Sequence, residues 1–128
     1  EVWSYGEEAY EIMASYIHLR ERLRPYIREL MRQAHEKGTP PMRPLFYDFP
    51  HDPACWEVED AYMFGPDLLV APILHEGARS RNVYLPAGSS WTDPYTGETF
   101  PGGITVTADA PLARIPLFLK DGAKLPIL

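Results

Sequence analysis

Cysteine is almost absent from this sequence of 128 residues, and metal-binding patterns are missing with it. Cys55 is the single cysteine, so no internal disulfide can form and no thiolate pair is present for a structural zinc ion. The four histidines, His18, His35, His51 and His75, are not spaced as paired metal ligands on a helix. The sequence therefore predicts neither a disulfide framework nor a metal site.

Basic residues and long apolar runs are also in short supply. Lysine and arginine total 12 against 18 acidic residues, giving a net charge of -6 and no basic surplus for a phosphate backbone. No run approaches the roughly 20 apolar residues that a membrane-spanning helix needs. We therefore expect neither nucleic acid nor a membrane as a partner, and the compartment stays open. Because the chain opens at Glu1, we expect a piece of a longer protein.

Motifs for nucleophilic or phosphate chemistry are missing as well. No serine lies in a nucleophile-elbow pattern, and Cys55 has no base beside it in the sequence. Gly102-Gly103 is not followed by the lysine of a phosphate-binding loop. The sequence predicts no cofactor and no catalytic nucleophile of its own.

Helical periodicity dominates the first part of the chain. Apolar residues recur at spacings of three and four from Ala9 to Ala34, which predicts one amphipathic stripe. Pro25 lacks an amide donor, so we expect a kinked helix or two helices that meet near Arg24. Gly38 is in position to end the helical region.

Short strands dominate the rest. Met42–Tyr47 predicts a buried strand that Pro44 weakens, 56–64 a helical or irregular connection, and Leu68–Leu74 a second buried strand. Turn residues then separate the predicted strands Arg81–Leu85, Trp91–Asp93, Ile104–Ala108, Ile115–Leu119 and Lys124–Leu128. We expect an α+β chain divided near 65–67, with an apolar helical stripe that lacks a cover of its own.

Acidic and aromatic residues supply the candidate sugar chemistry. Asp48 and Asp52 follow the strand at Met42–Tyr47, where an α/β barrel places its ligand-facing loops, although aspartate also favours turns. Tyr47, Asp48 and Phe49 are therefore the predicted substrate-binding residues. The aromatic side chains of the chain would stack on sugar rings if several faced one groove, and core packing is the competing explanation.

Several segments, in the same order along the chain, resemble glycoside hydrolase family 31. Glu1-Val2-Trp3 is similar to the family's Glu-Pro-Trp segment, with Val2 in place of proline, and Leu23-Arg24-Pro25-Tyr26 to its Leu-Leu-Pro-Tyr motif. Met42–Phe46 resembles the eighth barrel strand, and residues 62–73 resemble the junction with the C-terminal β-domain. The resemblance covers nearly the whole chain.

The resemblance implies a retaining, exo-acting α-glycosidase that releases α-glucose or α-xylose. Residues 1–67 would be the end of a (β/α)8 barrel, with a long helix and the last strand, and residues 68–128 a proximal antiparallel, β-sandwich-like domain. The catalytic aspartates would precede Glu1, so none is assigned here and the isolated chain should be inactive. An oligosaccharide would be bound through the parent enzyme, and exposed barrel surface would allow self-association.

Two other classes of function remain open from the sequence. A free-standing carbohydrate-binding module would bind glycans through its aromatic residues and would show sugar affinity in isolation. A structural module would instead dock the apolar stripe on a partner helix or on another copy of the chain.

Overall fold

The structure is a computed structural model that describes residues 2–75, 77–111 and 114–128. The side chains of residues 2–5 and 8 are outside this description. The helices are α1 (Val2–Arg22), α2 (Arg24–Lys37), α3 (Leu45–Asp48) and a 3-10 helix (Pro53–Trp56). The strands are β1 (Met42–Pro44), β2 (Tyr62–Phe64), β3 (Leu68–Val70), β4 (Ser80–Leu85), β5 (Ser90–Thr92), β6 (Thr99–Pro101), β7 (Ile104–Asp109) and β8 (Leu117–Lys120). The chain is thus α+β.

The helical region is two helices, as the proline predicted. They meet at Leu23, which is buried, and Pro25 lies in the first turn of α2, where a missing N–H removes no intrahelical hydrogen bond. Gly38 ends α2 in the left-handed conformation with φ 69°, and its N–H donates to the Ala34 carbonyl at 3.1 Å. Both local predictions are confirmed.

Within the described residues, all strand pairs are antiparallel and form two sheets. The larger has the order β1-β2-β3-β8-β5-β6, and the smaller pairs β4 with β7. The late strand β8 lies between β3 and β5, with Leu69 opposite Phe118 and Trp91 opposite Lys120. This one strand joins the two halves of the large sheet.

Alternating side chains of β3 define two cores. Leu69 points into a core shared by both sheets, whose buried members include Met63, Val83, Leu85, Trp91, Ala108 and Phe118. Leu68 and Val70 point to the opposite face, where they pack with Leu23, Leu117, Leu119 and Ile127. The junction of α1 and α2 therefore covers one face of the large sheet, and the small sheet covers the other.

Tyr26 ties α2 to the turn between β2 and β3. Its hydroxyl donates to the Phe64 carbonyl at 2.7 Å and accepts from the Asp67 N–H at 3.0 Å. Burial raises the pKa of Tyr26 to about 12. Gly65, with φ 68°, lies against this ring and against Leu30, where a side chain would not fit.

Several strand predictions need correction. The strand predicted at Met42–Tyr47 stops at Pro44, and Leu45–Asp48 turns into α3, because proline cannot donate to a ladder and β1 lies at the edge of its sheet. The connection predicted for 56–64 contains β2, which is held by partners on both sides. Lys124–Leu128 forms no strand, and β6 was not predicted.

Candidate functional site

Asp48, the second of the three predicted binding residues, is engaged in an ion pair. Arg43 donates from Nε to Asp48 Oδ2 at 2.7 Å and from Nη2 to Oδ1 at 3.1 Å, and from Nη1 to the Pro40 carbonyl at 3.0 Å. The arginine is buried at 5% exposure, so this two-point pairing offsets the cost of removing its charge from water. The sequence analysis missed Arg43, which comes near Asp48 only because α3 turns the chain back after Pro44.

Tyr47 and Phe49 lie in opposite environments on either side of Asp48. Tyr47 is 47% exposed, with the Arg43 guanidinium 5.3 Å from its ring centroid. Phe49 is buried at 9% exposure and packs against Trp91, with 5.7 Å between ring centroids. Of the three predicted residues, Tyr47 alone presents a large part of its side chain to solvent.

Asp52 joins the loop after α3 to the small sheet. Its Oδ2 accepts from the Tyr84 hydroxyl at 2.6 Å and from the Ala87 N–H at 2.8 Å, and its Oδ1 accepts from the Ala54 N–H at 3.1 Å. Burial raises the pKa of Asp52, but these hydrogen bonds lower it by more, so the net pKa lies below its ordinary value. The same carboxylate caps the 3-10 helix at Pro53–Trp56.

The groups beside Asp52 are held in their neutral forms. Burial, together with the neighbouring carboxylate, raises the pKa of the Cys55 thiol and of the Tyr84 hydroxyl each to about 12. A thiol that stays protonated at neutral pH is a poor nucleophile. Asp52, Tyr84 and Cys55 therefore form a structural cluster and have no features of a nucleophilic site.

Two of the grooves on the surface of the described residues are large enough to consider as sites. The first, about 650 Å³, runs between α1 and residues 72–75 and 77–79 and includes Tyr16, Arg22, Tyr95 and Arg114. The second, about 610 Å³, lies between β1 and the 56–62 segment and includes Phe46, Trp56 and Glu59. Both volumes fall within the range of small-molecule sites.

Neither a metal cluster nor a spanning helix is found in the described part of the chain. No group of three or more histidine, cysteine or acidic side chains there could hold a metal ion. No described helix is both long and apolar enough to cross a membrane.

Residues 38–125 match the sequence profile of the glycosyl hydrolase family 31 C-terminal domain. The chain belongs to glycoside hydrolase family 31. It is 41% identical over 126 residues to a probable glucan 1,3-α-glucosidase of Arabidopsis thaliana and 38% identical over 128 residues to an α-xylosidase of Saccharolobus solfataricus. These alignments cover 98% and 100% of this chain.

A solved structure of a family 31 α-xylosidase from a soil metagenome, complexed with xylose, extends the similarity to three dimensions. It superposes with a TM-score of 0.85 at 54% identity over 96% of this chain. The chain spans only 14% of the Arabidopsis protein and 18% of each of the two xylosidases. This family 31 chain thus corresponds to a small part of each of those proteins.

Proposed function

We propose that this chain is the C-terminal part of a retaining, exo-acting α-glycosidase that hydrolyses terminal α-linked glucose or xylose. The supporting observation is that members named α-glucosidase and α-xylosidase align with this chain from end to end. Asp48 and Asp52 each accept hydrogen bonds from side chains of this chain, which supports structural roles for both carboxylates. The isolated chain is inactive under this proposal.

Residues 1–67 form the end of a (β/α)8 catalytic barrel in this proposal, and residues 68–128 form the proximal β-domain. The outer face of α1 supports the first assignment, because Tyr10, Met13, Tyr16 and Ile17 are each at least 49% exposed. A row of large apolar side chains on one helix favours a covered position in a larger protein. In this structure the two parts share the large sheet through the pairing of β2 with β3.

Among Tyr47, Asp48 and Phe49, we propose that Tyr47 contacts the sugar. The exposure of Tyr47 and its place on α3 support this role. Asp48 instead fixes the Arg43 side chain through their ion pair, and Phe49 packs in the core against Trp91. In the whole enzyme, Tyr47→Ala should raise KM more than it lowers kcat. Ile104→Ala, which truncates an exposed large side chain on β7 outside residues 1–67, is the matched control. Equal kinetics for Tyr47→Ala and the unaltered enzyme would remove Tyr47 from the site.

Hydrolysis of p-nitrophenyl α-glucoside and α-xyloside tests the proposed activity. We expect the whole protein to hydrolyse one or both and the 128-residue chain to hydrolyse neither, and the preferred substrate identifies the sugar. Hydrolysis by the chain alone would contradict the assignment and would return attention to Asp48 and Asp52.

Self-association of the isolated chain is the further expectation from the exposed face of α1. Sedimentation velocity should show a concentration-dependent increase in mass, and Met13→Glu should reduce it by placing a charge in the apolar contact. Arg28→Glu, at an exposed position on α2, introduces the same side chain elsewhere and should have no such effect. A strictly monomeric chain at all concentrations would contradict this part of the proposal.

A further inference from the structure

Trp56 is held by two contacts although more than half of its surface is exposed. One indole face stacks on Phe46, with ring centroids 4.3 Å apart and an interplanar angle of 10°. The indole N–H donates to the Pro50 carbonyl at 3.0 Å. The side chain nevertheless remains 56% exposed. Trp56 also lines the groove between β1 and the 56–62 segment, so this groove contains an exposed aromatic ring of which one face is already covered by Phe46.

The rest of this groove combines apolar and carboxylate groups. Met42, which is 58% exposed, adds apolar surface, and the exposed residues Glu57 and Glu59 line the same groove. Asp60 also lines the groove, but its carboxylate pairs with Arg81 at 3.0 Å. The groove thus offers a flat stacking surface with hydrogen-bond acceptors around it.

The carboxylates decide which kind of occupant fits. A covering protein surface made of apolar side chains would have to remove Glu57 and Glu59 from water without giving them partners, which is costly. A pyranose ring has an apolar C–H face that stacks on an aromatic ring and hydroxyl groups at its edge that donate to carboxylates. A sugar therefore satisfies both the ring and the acids, whereas an apolar partner satisfies only the ring.

We propose that the Trp56 groove is an oligosaccharide-binding site, in which one pyranose ring stacks on the free indole face and its hydroxyls donate to Glu57 and Glu59. Phe46 acts from behind as a support that fixes the indole plane before the sugar arrives, which reduces the ordering cost of binding. The site does not require the proposed hydrolytic activity, because stacking and hydrogen bonding occur without bond cleavage.

The test uses the 128-residue chain labelled with 5-fluorotryptophan and titrated with maltotriose. The chain has three tryptophans, and Trp56→Phe identifies the Trp56 fluorine signal by its loss. We expect the Trp56 signal to shift saturably, while the signal of Trp91, which is fully buried, stays in place as the folding control. No saturable shift of the Trp56 signal would overturn the proposal, whatever the hydrolytic activity of the whole protein.

Variants then separate the roles within the groove. Trp56→Ala, measured by calorimetry, should weaken maltotriose binding by at least about tenfold, whereas Tyr10→Ala should leave it unchanged. Glu57→Gln combined with Glu59→Gln should weaken binding while the fluorine signals keep the positions of a folded chain. Phe46→Leu should weaken binding and broaden the Trp56 signal. If Trp56→Ala binds maltotriose as tightly as the unaltered chain, the sugar lies elsewhere and the proposal is wrong.

Discussion

Replacing Gly65 by alanine should be among the most destabilising small substitutions in this chain. Gly65 has φ 68°, a left-handed conformation that costs an alanine about 1–2 kcal/mol. The added Cβ would also lie 2.5 Å from Leu30 Cδ2 and 2.7 Å from Tyr26 Cζ, with the Tyr26 hydroxyl closer still. Van der Waals contact between carbon atoms needs about 3.5–4.0 Å, so the ring of Tyr26 must move.

Moving Tyr26 has its own energetic consequence. Its hydroxyl satisfies the Phe64 carbonyl and the Asp67 N–H, and leaving one partly buried polar group without a partner costs about 1–3 kcal/mol. Together with the backbone term, the expected loss in the free energy of unfolding is about 2–5 kcal/mol. Part of this loss should already appear in Tyr26→Phe, which removes the hydroxyl and leaves the ring.

Gly38→Ala is the matched control for the Gly65 substitution. Gly38 has φ 69°, almost the same as Gly65, but a Cβ there would meet no atom within 4 Å. It should therefore cost only the backbone term of about 1–2 kcal/mol. Urea unfolding followed by tryptophan fluorescence gives both values. If Gly65→Ala costs no more than Gly38→Ala, Tyr26 is not held against this turn in the way described.

Three further predictions concern Asp52 and its neighbour Tyr84. Asp52→Ala should lower the free energy of unfolding by about 2–4 kcal/mol, since a charged acceptor and a helix cap are lost together, whereas Ala at exposed Asp109 should change it little in the same urea assay. Folding lowers the pKa of Asp52, so its carboxylate stabilises the folded chain above the unfolded pKa of about 4, and this stabilisation is lost as the pH falls below that value. Asp52→Asn should therefore reduce the loss of unfolding free energy on the acid side of a plot against pH. The pKa of Tyr84 is raised to about 12, so the stability that its hydroxyl contributes to the fold is lost as the pH rises from 10 through 12. For Tyr84→Phe, circular dichroism should therefore show a smaller loss of folded structure over this pH range. Identical pH profiles for the variants and the unaltered chain would contradict the last two predictions.

The helical half of the fold was predictable because its signals are local. The position of Pro25 and the glycine at position 38 each act within one helical turn, so the break and the end of the helices could be derived from neighbouring residues. The longer strands β4 and β7 were predictable for a related reason. Each has six residues, enough for a run of strand-forming side chains between turns to be recognised.

Strands β2 and β6 and the site contacts were not predicted, because distant residues determine them. Strand β2 has three residues and exists through its two neighbours, and the loss of a strand at Lys124–Leu128 reflects tertiary context that overrides local preference. Asp52 was recognised as an interesting carboxylate, but its partner Tyr84 lies 32 residues away in the sequence. A sequence gives the residue types at such a site without giving the pairs.

The position of β8 has a consequence for the time at which this chain can fold. Strand β3 gains its second neighbour only when Leu69 pairs with Phe118, about 50 residues later, and β5 gains its second neighbour only when Trp91 pairs with Lys120. Long sequence separation between pairing strands slows folding, because the entropy of closing the loop is lost before the contacts form. During synthesis the β1-β2-β3 meander and the β5-β6 hairpin therefore leave the ribosome as separate pieces. The large sheet closes only after β8 (Leu117–Lys120) has emerged.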